Sequence, residues 1–256
     1  MQMTNNTILI TGGASGIGRA LAEAFHALGN QVIIAGRREA LLNEVTLANP
    51  GMLSSVLDVA SASDIERFAT QIKQDYPALN VVIHNAGIMI AEDVRDQSVA
   101  TAEAIIATNL LGPIRLNTAL LPLLLMQAQA TVITVSSGLA FLPLATTPTY
   151  SATKAAVHSY TQSLRYQLKD TNVQVLELAP PYVQTELMGE RQATDPHAMP
   201  LKEFIAEVMG ILTSFPNALE ILVERVKPLR LAEANGGYNG FFKTFNDAMA
   251  TAGAGK

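Results

Sequence analysis

The sequence contains no cysteine. This absence excludes disulfide bonds, thiolate metal sites and cysteine nucleophiles, and it is typical of a reducing compartment. The first residues run directly into an apolar stretch, without the basic region and the small-residue cleavage site of a secretion signal. We therefore expect a cytoplasmic protein.

Charge is scarce as well. Charged residues make up only 15% of the chain, the net charge is −5, and no block of five or more basic residues occurs. We therefore expect no nucleic-acid partner. The most membrane-like stretch, residues 119–126, contains Pro122 and is far shorter than the roughly 20 apolar residues that span a bilayer. We expect no membrane segment and, from the spacing of the histidines, no metal site.

Short β-branched stretches alternate with longer amphipathic ones. The predicted strands are residues 7–10, 31–35, 52–57, 81–84, 131–135 and 173–178. Helical patterns lie between and after them, at residues 19–28, 39–48, 64–76, 102–129 and 151–169. Nearly continuous apolar strands separated by helices indicate a parallel sheet covered on both faces. The predicted fold class is therefore α/β, a Rossmann-type doubly wound parallel sheet in a single domain over residues 1–256.

The regular alternation ends after residue 187. Residues 188–200 are polar and rich in turns, residues 201–212 have a helical pattern, and residues 220–223 form a weaker strand pattern. We expect a variable substrate loop at about residues 188–215. Aromatic residues then recur at helical spacing, which predicts a helical tail at about residues 236–256. That tail could cover the core, the pocket or a partner subunit.

A glycine-rich turn joins the first strand to the first helix. It reads T-G-x-x-x-G-x-G and contains Gly12, Ser15, Gly16, Ile17 and Gly18. Glycines in this position allow a tight turn and a close approach of a pyrophosphate to the backbone. The N-terminus of the helix offers unpaired N–H groups to the phosphates. The turn therefore predicts a dinucleotide site.

The end of the second strand bears on the choice of cofactor. A carboxylate there would bond the ribose 2′-hydroxyl of NAD, but Gly36 is followed by Arg37 and Arg38. Two arginines at a helix N-terminus oppose the helix dipole, and a 2′-phosphate would explain them. We expect NADP(H), with NAD(H) as an alternative. A solvated arginine pair would be the non-functional interpretation.

Tyr150 and Lys154 are four residues apart, so they share one face of a helix. Carbonyl reduction needs a proton donor, and a nearby ammonium favours the phenolate and brings the pKa of a tyrosine closer to neutral. Ser137 follows the fifth strand, at the edge where open α/β sheets bind ligands, and it would polarise the substrate oxygen. The adjacent Ser136 is an alternative. Taken alone, the tyrosine and lysine could be a solvated pair.

These motifs, in this order over residues 11–187, resemble the classical branch of the short-chain dehydrogenase/reductase family. The resemblance implies that Asp58 and Val59 lie near the adenine and that Asn85, Ala86 and Gly87 close the nucleotide site. It further implies that Asn109 supports a proton relay through water to Lys154, and that this lysine and Tyr150 also contact the cofactor. Pro180, Val183 and Thr185 match positions around the nicotinamide.

The chain departs from the family after the sixth strand. Pro180-Pro181 replaces the usual Pro-Gly, which removes one N–H donor and stiffens the loop. With the C-terminal tail, this resembles a bacterial subgroup of DltE-like oxidoreductases, named for the D-alanylation operon of teichoic acids. We expect Leu139, Phe141, Tyr182 and Met188 to contact the substrate, an apolar aldehyde or ketone.

The expected function is therefore that of an NADP(H)-dependent carbonyl reductase or alcohol dehydrogenase. One alternative is an NAD-dependent alcohol dehydrogenase that works oxidatively. Another is a non-catalytic NADP(H)-sensing protein, which would be expected to lack Tyr150 or Lys154. The resemblance also implies a homodimer or homotetramer formed by the helices at residues 109–129 and 151–169. Packing of those helices within one core is the alternative.

Overall fold

The computed structural model describes residues 1–96 and 98–254, with side chains described as far as residue 250. Its centre is a sheet of seven parallel strands in the order β3-β2-β1-β4-β5-β6-β7. The strands are β1 (Thr7–Thr11), β2 (Gln31–Gly36), β3 (Leu53–Val56), β4 (Leu79–His84), β5 (Ala130–Val135), β6 (Val173–Leu178) and β7 (Glu220–Ile221).

Helices cover both faces of the sheet. They are α1 (Gly16–Ala27), α2 (Glu39–Ala48), α3 (Ala62–Asp75), α4 (Val99–Ile106), α5 (Gly112–Leu125), α6 (Pro148–Gln167), α7 (Glu190–Thr194), α8 (Leu201–Ser214), α9 (Lys227–Arg230) and α10 (Tyr238–Ala254). The doubly wound single domain predicted from the alternating pattern is confirmed.

The strands are apolar on both sides because each side faces a different core. Side chains alternate along a strand, so Ile8 and Ile10 pack with Phe25 of α1 on one face, and Leu9 packs with Phe68 of α3 on the other. Every residue of β1 is buried. This double burial explains why the strand pattern in the sequence is nearly continuous and not alternating.

Helix α8 packs in the core that contains Ile8, Ile10 and Phe25. Its side chains Phe204, Val208 and Leu212 are buried, and they pack in the cluster that contains Phe25 of α1. The predicted variable loop at residues 188–215 thus ends in a helix that packs against the sheet. The earlier part of this loop contains the short helix α7. Its residue Met199 forms a β-bridge with Val183, which precedes the loop.

The helical pattern at residues 102–129 corresponds to a helical segment that begins three residues and ends four residues earlier than predicted. Helix α4, a π-helical turn at Ala107–Leu111 and helix α5 form one continuous helical segment, Val99–Leu125, with Pro122 inside it. By length and composition these 27 residues could cross a membrane. An 18-residue stretch within them has a mean hydropathy of 1.3, and 44% of that stretch is buried. Leu116, Leu120 and Leu124 pack in the core on the other face of the sheet, which contains Leu9 and Phe68, as the core helix of a globular domain does. The expectation of no membrane segment considered only the apolar stretch at residues 119–126, whereas the longer helical segment meets the criteria of length and composition.

The C-terminal helix α10 lies beside the loop that precedes α6. The side-chain oxygen of Asn246 accepts a hydrogen bond from Ala145 N at 2.7 Å, and its Nδ2 donates to Pro143 O at 3.2 Å. The aromatic side chains pair along the helix, as in Tyr238 with Phe242. The predicted helical tail is therefore attached to the segment that leads into the helix of Tyr150.

We predict that Phe204→Ala lowers the free energy of unfolding by about 3–5 kcal/mol, because it opens a cavity under α8. Urea unfolding followed by circular dichroism measures this. Phe215→Ala is the matched control: Phe215 at the end of the same helix is 64% exposed, and its removal should change stability by less than about 0.5 kcal/mol. Equal small effects of both substitutions would contradict the assignment of α8 to the core.

Candidate active site

A cleft of about 490 Å³ opens at the carboxyl edge of the sheet, where the strand order reverses beside β1. The loops after β1, β2, β3, β4, β5 and β6, together with residues of α6, form its wall. Most of the residues predicted from the motifs lie in this wall: Gly12, Ser15, Gly16, Ile17, Arg37, Arg38, Val59, Asn85, Ala86, Gly87, Ser137, Tyr150, Lys154, Pro180, Val183 and Thr185. Three of the motif residues lie outside it, although all belong to the described ranges: Gly18, Asp58 and Asn109.

The glycine turn is packed too tightly for side chains. A Cβ atom on Gly12, whose φ is +67°, would lie 2.9 Å from Ala86 Cα, and one on Gly18 would lie 2.3 Å from Gly12 O. Gly18 therefore allows α1 to pack against the turn and does not itself face the cleft. The turn keeps its backbone at the wall of the cleft, as close approach of a pyrophosphate requires.

Asn85 holds the glycine turn from the neighbouring strand. Its Nδ2 donates to Thr11 O at 3.1 Å and to Gly12 O at 3.3 Å, and its backbone N–H donates to Thr11 Oγ1. The loops after β1 and β4 are thereby joined. This is how the Asn-Ala-Gly motif borders the nucleotide side of the cleft.

The first turn of α1 and the end of β2 form the far end of the cleft. Ser15 precedes α1, and its Oγ accepts a hydrogen bond from Arg38 Nη2 at 2.8 Å. Arg37 and Arg38 are both exposed in the wall. A helix N-terminus next to two guanidinium groups is a site suited to anions.

Asp58 and Val59 lie in the loop after β3. Asp58 turns its carboxylate toward its own loop, where Oδ1 accepts from Ala60 N at 3.0 Å, and its backbone N–H donates to Asp64 Oδ2. Val59 supplies the contact surface in the wall. Ser61 caps α3 by accepting from Asp64 N, so half of a capping box is formed there.

The predicted catalytic residues converge at the other end. Ser137 follows β5, while Tyr150 and Lys154 lie on the first turns of α6. The Ser137 side chain lies beside the Tyr150 hydroxyl, close enough to lower the pKa of the tyrosine. Lys154 Nζ donates to Val135 O at 2.8 Å and lies 5.4 Å from the centre of the Tyr150 ring. Ser136 instead donates its hydroxyl hydrogen to Glu177, so Ser137 is the serine that meets the tyrosine.

Asn109 lies in the π-helical turn between α4 and α5. Its Oδ1 accepts from Ile88 N at 2.8 Å, and its Nδ2 donates to Ile88 O and to Thr153 Oγ1. A Cβ atom on Gly87 would be 3.3 Å from Asn109 Oδ1 and 3.7 Å from Lys154 Nζ. The absence of a side chain at Gly87 therefore leaves room between the asparagine and the lysine.

Residues 6–196 match the family model for short chain dehydrogenases. The chain belongs to the short-chain dehydrogenase family. It is 40% identical over 254 residues to the uncharacterized oxidoreductase DltE of Bacillus subtilis (strain 168), covering 96% of this chain and 98% of that one. The predicted family and its DltE-like subgroup are thus confirmed, and the chain is an oxidoreductase of this family.

Solved structures agree with the fold of this short-chain dehydrogenase. One is a short-chain dehydrogenase from Burkholderia cenocepacia in complex with NADP, with a TM-score of 0.82, 23% identity and coverage of 95% and 98% of the two chains. Another, from Burkholderia phymatum, is in complex with NAD, with a TM-score of 0.80, 19% identity and coverage of 92% and 95%. At these identities the likeness shows the fold alone.

Burial dominates the electrostatics of the predicted catalytic pair, Tyr150 and Lys154. It raises the pKa of Tyr150 to about 12, against the hydrogen bond from Ser137, which lowers it. It lowers the pKa of Lys154 to about 8, against the negative charge of Glu177, which raises it. The sequence led us to expect a lowered tyrosine pKa, but in this chain withdrawal of the phenolate from water outweighs its neighbours. Tyr150 therefore holds its proton at neutral pH.

The loop after β6 is held by a residue that carries no sequence motif. Gln192 of α7 is buried in the cleft wall, where its Nε2 donates to Val183 O at 2.8 Å and to Thr185 Oγ1 at 3.1 Å. Its Oε1 accepts from Met188 N. One amide thus orders the segment next to the predicted nicotinamide position, and the variable sequence around it gave no signal.

The four predicted substrate residues are placed differently from the rest. Leu139, Phe141, Tyr182 and Met188 all belong to the described chain but lie outside the cleft wall. The Phe141 ring packs edge-on against His158, and the Tyr182 hydroxyl donates to Asp195. The apolar residues that do line this end are Ile88, Met89, Ile90, Pro181 and Leu187.

Proposed function

We propose that this dehydrogenase is a cytoplasmic, NADP(H)-dependent carbonyl reductase or alcohol dehydrogenase that acts on a small, apolar aldehyde or ketone. The observation that carries the proposal is the placement of Ser137, Tyr150 and Lys154 together in the wall of a cleft that also holds the glycine turn, with Lys154 Nζ 5.4 Å from the centre of the Tyr150 ring. A protein that only senses the nucleotide would have no need for this arrangement.

The chain's own residues suit the cofactor. The N-terminus of α1 and the glycine turn would bind the pyrophosphate, while Lys154, Val183 and Thr185 lie where the nicotinamide half would be held. Bound nicotinamide supplies or accepts the hydride. The glycine turn supports this fit, because side chains at Gly12 or Gly18 would collide with backbone that borders the cleft.

Tyr150 would act as the acid in the reductive direction. Because burial keeps its proton in place, the tyrosine is ready to protonate the substrate oxygen, and the Ser137 hydroxyl would donate a second hydrogen bond to the same atom. The ammonium of Lys154 then stabilises the phenolate that is left. The space between Asn109, Gly87 and Lys154 would hold the water through which the proton is replaced. In the oxidative direction the same groups take up the proton.

The substrate class is argued from the wall near Tyr150. Isoleucine, methionine, leucine and proline side chains border this end of the cleft, and such surfaces favour apolar ligands with one polar group held by the catalytic residues. Pro181, which replaces the family's usual glycine, adds to the apolar surface.

Tyr150→Phe should lower kcat by about 10²- to 10⁴-fold, because it removes the general acid. The affinity for NADPH, measured by fluorescence titration, should change little. Tyr166→Phe is the matched control: it makes the same change on α6 at a residue that is 70% exposed, and it should leave turnover unchanged. Full activity in Tyr150→Phe would contradict the assigned role.

Arg38→Gln should lower kcat/KM with NADPH by about 10- to 100-fold, because a charge-assisted bond to the 2′-phosphate is lost. The value with NADH should stay nearly constant, since NADH lacks that phosphate. Arg67→Gln serves as the control, because Arg67 pairs with Asp64 on α3. Equal losses with both cofactors would show that Arg38 does not discriminate between them.

We further propose a homodimer or homotetramer formed through α5 and α6. Leu125 of α5 is 42% exposed, and Ile106 and Leu111, which precede α5 in the same helical segment, are 39% and 36% exposed, so this segment offers apolar side chains to a second subunit. Light scattering should therefore give two or four times the chain mass of 27.3 kDa. A monomer at micromolar concentration would contradict this interface.

A further inference from the structure

A carboxylate lies fully buried behind the catalytic serine and lysine. Glu177 of β6 is 0% exposed and is enclosed between the sheet and α6. Its Oε1 accepts from the Ser136 hydroxyl at 2.5 Å, and its Oε2 lies 2.7 Å from His158 Nδ1. Burial of a charged group is costly unless it is paired. The partners of Glu177 therefore indicate what the group does there.

The register of the sheet brings Glu177 beneath the catalytic helix. Glu177 pairs with Thr134 of β5, and the Thr134 hydroxyl contacts Thr161 of α6, so this face of the sheet is the face that α6 covers. Lys154 and His158 are one helical turn apart on α6. Lys154 Nζ bonds Val135 O, the residue before Ser136. The carboxylate and the ammonium thus face the same strip of β5.

Other charged groups surround this cluster. Glu220 of β7 lies 4.0 Å from His158 Nδ1 and is paired with Arg230 of α9 at 3.0 Å. Arg230 also covers the Phe141 ring, and Arg165 of α6 donates to the backbone carbonyls of Val175 and Leu219. Arg230 therefore offsets Glu220, while the charge of Glu177 acts on His158 and Lys154.

The cluster is better explained as a charge network than as a metal site. The potential ligand atoms of His158, Glu177 and Glu220 lie within 4.8 Å of one another, a grouping that the spacing of the histidines did not indicate. Ser136 and Arg230 already bind the two carboxylates, however, and a guanidinium next to the cluster repels a cation. The negative charge is instead available to the buried ammonium.

We propose that Glu177 is a positioning residue whose carboxylate, held by Ser136 and His158, keeps Lys154 protonated in its buried site. The inference rests on the proposed function in that Lys154 is taken to support proton transfer by Tyr150. Burial pulls the pKa of Lys154 down to about 8, and the charge of Glu177 opposes this. Without Glu177 the lysine would lose its proton at lower pH, and the phenolate of Tyr150 would lose its stabilising charge.

The direct test is the titration of the Lys154 side chain. Protein with isotope-labelled lysine is titrated by NMR, and the Lys154 signal is identified by its loss in Lys154→Arg. In Glu177→Gln, Lys154 should titrate about one pH unit lower than in the parent. Glu220→Gln removes the same charge at a residue that Arg230 already pairs, and it should leave the titration of Lys154 in place.

A second variant guards against misfolding. Glu177→Met replaces the buried carboxylate with an apolar side chain of similar volume, so it removes the charge without opening a cavity. It should lower the Lys154 titration in the same way, and NADPH binding together with circular dichroism reports whether each variant is folded. An unchanged Lys154 titration in a folded Glu177→Gln or Glu177→Met would overturn the inference.

The pH profile of kcat/KM gives the functional readout. Its alkaline limb should move to lower pH by about one unit in Glu177→Gln and should stay in place in Glu220→Gln. The NMR titration needs no substrate, so the two proposals fail separately. If the pKa of Lys154 falls in Glu177→Gln but no carbonyl is turned over, only the proposed function is contradicted. If turnover is normal and the pKa of Lys154 does not change in Glu177→Gln, only the role of Glu177 is contradicted.

Discussion

Tyr150 and Lys154 are two ionisable side chains held almost entirely out of water, and the surroundings of the site are arranged around that burial. Withdrawal from water disfavours the charged form of each group. It therefore raises the pKa of Tyr150, which keeps its proton, and lowers the pKa of Lys154, which loses its proton more easily. Reduction of a carbonyl needs the first effect. In the proposed reaction the second effect has to be limited, because the phenolate left by Tyr150 would depend on the ammonium of Lys154.

The fold limits the fall in the pKa of Lys154, because the groups around the lysine meet at one edge of the sheet. The end of β5 supplies Ser137 to the tyrosine and a backbone carbonyl to the lysine, and β6 places the carboxylate of Glu177 beneath α6. The same edge carries the glycine turn after β1, which Asn85 fixes from the loop after β4. Parallel strands end at a common edge, so residues far apart in sequence meet there.

Much of this was predictable, because the determining signals are local. The strand at Val173–Leu178 and the helix at Glu39–Ala48 have the predicted boundaries, and most motif residues lie in the cleft wall. The glycine turn could be recognised because steric contacts such as that of Gly18 with Gly12 O tolerate no side chain. A pattern set by such local constraints is visible in a single sequence.

The missed features depend on contacts between distant segments. Gln192 and Glu177 act through partners that no spacing connects to them, and each looks like an ordinary polar residue of a loop or strand. Phe141 follows Ser137 in the sequence, but its ring packs against His158 of α6 and lies under Arg230 of α9.

The central claim is that the cleft transfers hydride between NADP(H) and an apolar carbonyl. The most direct measurement supplies the purified protein with NADPH deuterated at the transferable position of the nicotinamide, and with a set of apolar aldehydes and ketones. NADH deuterated in the same way is run in parallel. The account predicts deuterium on the carbinol carbon of at least one product, with a higher kcat/KM for NADPH than for NADH. Tight binding of NADPH without deuterium transfer to any carbonyl would contradict it and would favour a protein that only senses the nucleotide.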